Sequence, residues 1–382
     1  MYYREIIINI IKWLDKGKIA IVYGTRQVGK TTLTQEIIEH YVKNGYLESD
    51  IKVMNGDNLQ TQSQLSVQDY EKLKQIVAGK KLLVVDEAQR VLNIGINLKI
   101  IYDHFPDLKI IATGSSSFEL ANKINEPLTG RNIKFMLLPL SFLELTQKSS
   151  ASDIQYNIDD LLVFGSYPNL ITLDSKDDKI TYLSELSTDY LYKDILAWED
   201  IRKPQILVTI LKYLALNIGN TIIYSNISNQ LDINIRTIEK YIALLEKTFV
   251  IFKLNAYSTN KNNELNRSVK IYFWDLGIRN SLINNFNNLE IRSDVGVLWE
   301  NYCISERIKK NKNNLKSKNY YFWRNYSKHE VDFIEEYDGI LTGFEFKYAK
   351  DKIQKGSYNF IEQYPNSTLK LINKDNIIDF LM

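Results

Sequence analysis

Cysteine and histidine are almost missing from this chain of 382 residues, which has one Cys and three His. The lone Cys303 cannot close an internal disulfide, and three scattered histidines leave no His/Cys zinc site. A strong charge bias is missing as well. The 48 basic and 46 acidic side chains give a formal net charge of +2, so there is no protein-wide positive field, and any nucleic-acid surface must be a local patch. No stretch reads as a membrane span or an export signal. The Ile-rich N-terminus is interrupted by Arg4, Glu5 and Lys12 and runs into a strand pattern without a small-residue cleavage site. Internal repeats and low-complexity tracts are also absent. These absences predict a soluble, cytoplasmic protein with no membrane partner.

What is present is near the globular average. Hydrophobic residues make up 45% and charged residues 25%, enough for two or three folded units with real cores. Ile7, Ile10, Ile11 and Leu14 share one helical face and read as a packing helix. From Ile19 to about Leu138, short apolar runs (19–23, 51–54, 82–85, 108–112) alternate with helical stretches, the pattern of a parallel sheet with crossovers. From Ile154 to about Asn217 the pattern turns helical, with Leu161, Leu162, Tyr190, Leu191, Ile195 and Trp198 on the apolar face. Residues 224–231, 234–247 and 250–254 then read as helix, turn, helix and wing. After Ser293 a long helix (296–309), a Lys/Asn-rich loop, three strands, a helix and a last strand make a further α/β unit.

The strongest motif is Gly24-Thr25-Arg26-Gln27-Val28-Gly29-Lys30-Thr31, followed by Thr32. It leaves a strand and opens a helix, the context that a phosphate-binding loop requires. Glycines let backbone N–H groups curl around phosphate oxygens, and the helix N-terminus adds a favourable dipole. Lys30 is placed to reach the β- and γ-phosphates of ATP, and the Thr31 hydroxyl to ligate Mg²⁺. A second apolar run, Leu82-Leu83-Val84-Val85, ends in Asp86-Glu87. Asp86 is read as the carboxylate of the Mg²⁺ shell and Glu87 as the group that orients the attacking water. The next strand ends in Thr113-Gly114-Ser115-Ser116-Ser117. A polar side chain there lies between the other two motifs and senses the γ-phosphate; Ser115 is the first choice and Thr113 the second. Arg131 is read as a trans-acting finger on a neighbouring copy's nucleotide, which implies a homo-oligomer, with a surface ion pair as the plain alternative.

These residues carry a resemblance. Residues 23–33, 84–90, 113–117 and 128–131 follow the ordered signature of a widespread prokaryotic family of AAA+ ATPases. Pro139-Leu140-Ser141-Phe142 and Phe164-Gly165-Ser166-Tyr167-Pro168 extend the match, with Gly165-Ser166 where the family usually has Gly-Gly. The resemblance covers roughly the first 200 residues. It implies an α/β, P-loop NTPase (AAA+) core in 1–150, a helical lid in 151–200, a winged-helix domain in 201–292 and a nuclease-like domain in 293–382.

The last region has its own constellation. Asp332 lies on one expected strand; Glu345 and Lys347 share a face of the next by period-2 alternation. Glu300 sits on the preceding helix. Two or three carboxylates with a lysine suit one or two divalent ions and hydrolysis of a phosphodiester. Members of the ATPase family carry a C-terminal domain similar to the PD-(D/E)XK nucleases, and Asp332, Glu345, Lys347 and Glu300 match that pattern residue for residue. The resemblance implies a second Mg²⁺ or Mn²⁺ at Glu300, Asp332 and Glu345. The alternative is a Glu–Lys pair retained for packing or binding. Arg307, Lys309, Lys310, Lys312, Lys316 and Lys318 form a nearby basic run that fits either a phosphate backbone or a solvated loop. In the helix-turn-helix, Arg236, Thr237 and Lys240 are the residues placed to meet DNA; few basic residues accompany them, so an architectural or weak DNA-contact role is expected over sequence-specific reading. The expected function is a Mg²⁺-dependent ATPase coupling nucleotide state to winged-helix and nuclease-like modules on DNA. The alternatives are an ATP-gated interaction protein without nuclease chemistry and a DNA-binding transcription regulator.

Overall fold

Apolar runs of five or six residues bounded by polar turns suit strands buried on both faces, and the first sheet is built from them. A computed structural model describes residues 2–114, 127–189, 204–258, 269–349 and 352–382. The chain divides into two units, Met1–Leu138 and Pro139–Met382. Among the described residues of the first, β1 (Ile19–Gly24), β2 (Ile51–Asn55), β3 (Leu82–Asp86), β4 (Lys109–Gly114) and β5 (Asn132–Leu137) form a sheet in the order β2-β3-β4-β1-β5. Every pairing in it is parallel. The central β1 and β3 are buried at every position, while the edge strands β2 and β5 alternate with exposed or half-buried residues.

Helices α1 (Ile6–Asp15), α2 (Lys30–Lys43), α3 (Leu59–Leu65), α4 (Tyr70–Val77) and α5 (Ile94–His104) connect and cover these strands. The α1 face is Ile6, Ile7, Ile10 and Leu14, all buried, and it packs on β1, β4 and β5. Burying four such side chains stabilises the fold by roughly 1.5–3 kcal/mol each. The Ile-rich start is therefore a core helix.

The second unit begins with short helices α6 (Phe142–Leu145), α7 (Ala151–Tyr156), α8 (Ile158–Phe164) and α9 (Lys176–Asp189). Tyr190, Leu191, Ile195 and Trp198 of the expected apolar face lie outside the described residues. There follow α10 (Pro204–Leu216), β6 (Thr221–Ile222), α11 (Tyr224–Leu231), α12 (Ile235–Lys247), β7 (Ile251–Ala256) and β8 (Val269–Phe273). The expected helix, turn, helix and strand thus gain a preceding strand and a second hairpin strand. After α13 (Leu276–Leu282), the long α14 (Val295–Asn313) leads into β9 (Asn319–Arg324), β10 (Glu330–Tyr337) and β11 (Ile340–Phe346), an antiparallel meander. Helix α15 (Asn359–Gln363) crosses to β12 (Thr368–Ile372), parallel to β11, and α16 (Ile377–Leu381) closes the chain.

One continuous sheet runs through this unit in the order β12-β11-β10-β9-β7-β8-β6. The boundary expected at 292/293 does not interrupt it, because β7 pairs with β9 at Asn255–Tyr321 and Ala256–Phe322. On one face Trp323, Val331, Ile334, Leu341 and Phe360 form a core. On the other, Phe333 meets Phe344 and Phe346, and these two meet Phe380 of α16.

A buried polar hub gives the two Pro/Ser motifs of the sequence a structural role. Ser141 caps α6 reciprocally with Glu144. The Phe142 N–H donates to the Glu306 carboxylate at 2.6 Å. Lys309, one turn along α14, pairs with Glu306 at 2.7 Å and reaches the Leu140 carbonyl and the Ser166 hydroxyl. The Ser166 N–H in turn donates to Asp275 at 2.8 Å. Glu306 and Lys309 are only 3% and 2% exposed, so neither charge has water to fall back on. Removing one member of such a pair strands the other and costs about 3–5 kcal/mol. Glu306→Ala is therefore expected to destabilise the chain by about 3 kcal/mol or more in urea unfolding followed by circular dichroism. An unchanged midpoint would contradict this role.

Candidate functional site

The strands of a parallel sheet all end on one edge, and here the tips of β3, β4 and β1 are consecutive along that edge. The first site forms there. β1 ends at Gly24, and residues 25–29 turn into α2. A side chain at Gly24 would meet the Leu137 carbonyl at 2.6 Å, and Gly29 has φ +98°, a conformation open to glycine. Lys30 is buried and folds back over the loop, donating to the carbonyls of Gly24 and Thr25 at 3.0 Å each. The Thr31 hydroxyl donates to the Asp86 carboxylate at 2.9 Å. Asp86 also accepts from the Glu87 N–H at 3.2 Å and from the Thr113 hydroxyl. Glu87 sits in the left-handed region at φ +49°, and Gln89 donates to its carboxylate at 2.5 Å.

This donor set fits a nucleotide with Mg²⁺. An ammonium held by loop carbonyls marks where phosphate oxygens would be met, and a hydroxyl paired to a carboxylate is the oxygen-ligand chemistry of that ion. Thr31 and Asp86 would hold Mg²⁺, which supplies neutralisation of phosphate charge when bound.

The second cluster lies wholly in the second unit. The β9–β10 register shifts between Val331 and Ile334, a bulge that re-aims the side chain at Asp332. Asp332 accepts the Phe346 N–H at 2.9 Å. Lys347 stands 3.0 Å from Glu345 and 3.7 Å from Asp332, and the Ser357 hydroxyl donates to Glu345 at 2.9 Å. Glu300 is held by Lys270 at 3.1 Å and by the Tyr272 hydroxyl at 2.5 Å, both from β8. Lys270 also pairs with Glu330 at 2.5 Å. Burial, and then the charge of Asp332, pushes Glu345 up to about 7. Burial also pushes Glu300 up to about 7, with Lys270 opposing and Asp332 adding. Lys270 is desolvated too, yet the surrounding carboxylates hold its pKa well above the usual lysine value.

The second unit thus brings Asp332, Glu345 and Lys347 together, with Glu300 in electrostatic reach. Glu300 pairs with Lys270 and Glu345 with Lys347, and among the described residues no group of three His, Cys or carboxylate side chains is placed to hold an ion. Three residues of the basic run have internal partners. Arg307 and Lys318 both grip the buried Glu335, at 2.9 and 2.8 Å, and Lys309 belongs to Glu306. Burial lowers the Lys312 pKa.

Comparison with known proteins places the first unit. Residues 16–146 match the family described as an AAA domain. This stretch of the chain is thus similar to an AAA domain. Residues 155–289 and 295–379 match two domains of unknown function, DUF8612 and DUF4143. A protein of Haemophilus influenzae described as uncharacterized is 25% identical over 314 residues, 78% of each chain. An uncharacterized protein of Methanocaldococcus jannaschii is 26% identical over 272 residues, 67% of this chain and 59% of its own length. Among solved structures, a Walker-type ATPase of Pyrococcus abyssi aligns with a TM-score of 0.50 at 16% identity, covering 74% of this chain and 96% of that one. At that identity the likeness is one of fold. The AAA domain and the loop geometry together support ATP binding and hydrolysis.

Within the AAA domain, Ser115 lies outside the described residues, and Thr113 is the side chain that meets Asp86. Arg131 precedes β5 at the end of the sheet opposite the phosphate loop, and forks onto Asp103 at 2.8 and 3.1 Å. On α12, Arg236 and Lys240 are exposed and Thr237 is half-buried. Gln89, Lys270, Tyr272, Glu330 and Ser357 were missed. The alternation of Lys270 and Tyr272 on β8 marks one face, but nothing in sequence links that face to a carboxylate 30 residues away.

Glu300 sets a pH dependence. Its ordinary value is 4.5 and its folded value about 7, so across that window the folded chain holds a proton that the unfolded chain has lost. Rising pH there favours unfolding. The thermal midpoint of the wild type is expected to fall relative to that of Glu300→Gln between about pH 5 and 8. A constant difference would contradict the assignment.

Proposed function

We propose that this chain is a Mg²⁺-dependent ATPase whose nucleotide state controls a winged-helix and nuclease-like C-terminal region acting on DNA in the cytoplasm. The observation that carries the reading is the Thr31–Asp86 hydrogen bond at 2.9 Å beside a Lys30 ammonium folded into a glycine loop. Lys30 would meet β- and γ-phosphate oxygens in place of the loop carbonyls, and Thr31 and Asp86 would hold the Mg²⁺ that neutralises phosphate charge. Glu87, steadied by Gln89, orients the attacking water and takes its proton. Thr113 and Ser115 sense the γ-phosphate.

The C-terminal modules are read from element order. Helix, strand, helix, helix, strand, strand from α10 to β8 is the order of a winged helix, with Arg236 and Lys240 exposed on its second-to-last helix. Helix, three strands, helix and strand from α14 to β12, with Asp332, Glu345 and Lys347 at matching positions, is the order of a PD-(D/E)XK domain. Arg131, remote from its own chain's loop, is assigned as a finger for a neighbouring copy in a homo-oligomer.

Lys30→Ala and Glu87→Gln are each expected to lower ATP turnover by ~100-fold or more, measured by phosphate release. Unchanged turnover in either variant sinks the ATPase reading. In parallel, single- and double-stranded DNA are incubated with the chain and Mg²⁺ or Mn²⁺, with and without ATP. Binding without cleavage is expected. Cleavage that disappears in both Glu345→Ala and Lys347→Ala would replace the binding role with a nuclease.

A further inference from the structure

A phosphate loop works only if its peptide N–H groups point inward, and one buried side chain outside the loop sets the direction of one of them. Arg4 precedes α1 and is 5% exposed. Its Nη1 donates to the Val28 carbonyl at 2.9 Å, inside the loop. Its Nη2 donates to the Leu138 carbonyl at 2.5 Å, just past the end of β5. The same guanidinium nitrogen that holds Val28 lies 3.8 Å from the position a side chain at Gly29 would take. Glu36 on α2 accepts the Arg4 backbone N–H and faces its charge.

The Val28 carbonyl and the Gly29 N–H belong to one planar trans peptide, so they point in opposite directions. A carbonyl drawn toward Arg4 therefore turns the Gly29 N–H away from it, toward the concave side of the loop. The other anchor is stiff. β5 pairs with β1 from Ile19–Asn132 to Gly24–Leu137 without a break, so Leu138 is fixed to the strand from which the loop springs. One planar fork bridges two carbonyls from two segments, a geometry a lysine ammonium on a single stem does not reproduce.

We propose that Arg4 is a positioning residue of the nucleotide site: it fixes the Val28–Gly29 peptide so that the Gly29 N–H faces the phosphates, and ties the loop to the end of β5. This rests on the ATP-binding reading of the loop.

The test uses the full chain as wild type, Arg4→Ala and Arg4→Lys. ATP binding by calorimetry, the kcat and KM of ATP hydrolysis and the thermal midpoint are measured for each. Arg4→Ala is expected to raise Kd and KM for ATP by ~10-fold or more, the effect of losing a charge-assisted hydrogen bond, with a smaller change in kcat. Arg4→Lys, holding one carbonyl, falls between. A folded Arg4→Ala with wild-type Kd and KM overturns the proposal. So does a fall in kcat at unchanged KM, which a general loosening of the domain would give. If Arg4→Ala fails to fold, Arg4→Lys decides: a raised KM supports the role and a wild-type KM overturns it. A wild type that binds no ATP removes the underlying reading instead, so the two failures are distinguishable.

Discussion

The carboxylate of Asp86 takes hydrogen bonds from two segments remote in sequence, the hydroxyl of Thr31 after β1 and the hydroxyl of Thr113 on β4, and from the N–H of Glu87 at its own strand tip. A carboxylate this buried must be matched by donors, and only the strand order β3-β4-β1 delivers them. The first half of the fold can be understood as the scaffold for that meeting. Apolar runs make the central strands, parallel crossovers put all tips on one edge, and α1 covers the strands from one side while its leading Arg4 steadies the loop from behind. Lys30 and Glu87 then acquire their positions from neighbours that are already fixed.

The second unit depends on a different constraint, the matching of buried charge. Glu306 has Lys309, Glu335 has Arg307 and Lys318, Glu345 has Lys347, and Glu300 has Lys270. These pairs give the near-zero net charge of +2 a physical meaning. Within the basic run, Arg307, Lys309 and Lys318 are internal counter-ions. The same matching binds the elements into one sheet, since Lys270 on β8 answers carboxylates on α14 and β10.

Legibility in sequence followed locality. The phosphate loop was readable because all its chemistry falls in consecutive residues, and the Asp86-Glu87 tip because an apolar strand announces its own end. Glu345 and Lys347 were readable by strand alternation, and Asp332 by its match to the PD-(D/E)XK pattern. What escaped were partners set by tertiary register. No spacing rule joins Arg4 to Val28, Lys270 to Glu300, or Arg307 to Glu335, and a basic run in sequence looks the same whether its side chains face water or a buried glutamate. The continuity of β7 with β9 escaped for the same reason, since a two-residue parallel pairing across 65 residues leaves no local mark.

The central claim, that the loop and Asp86 together form a site for ATP with Mg²⁺, is tested most directly by titrating the full chain with ATP in a calorimeter, with Mg²⁺ present and again with the ion chelated. The account predicts one nucleotide per chain and an affinity that falls when the ion is removed. No binding, or binding of equal strength in both conditions, would contradict it.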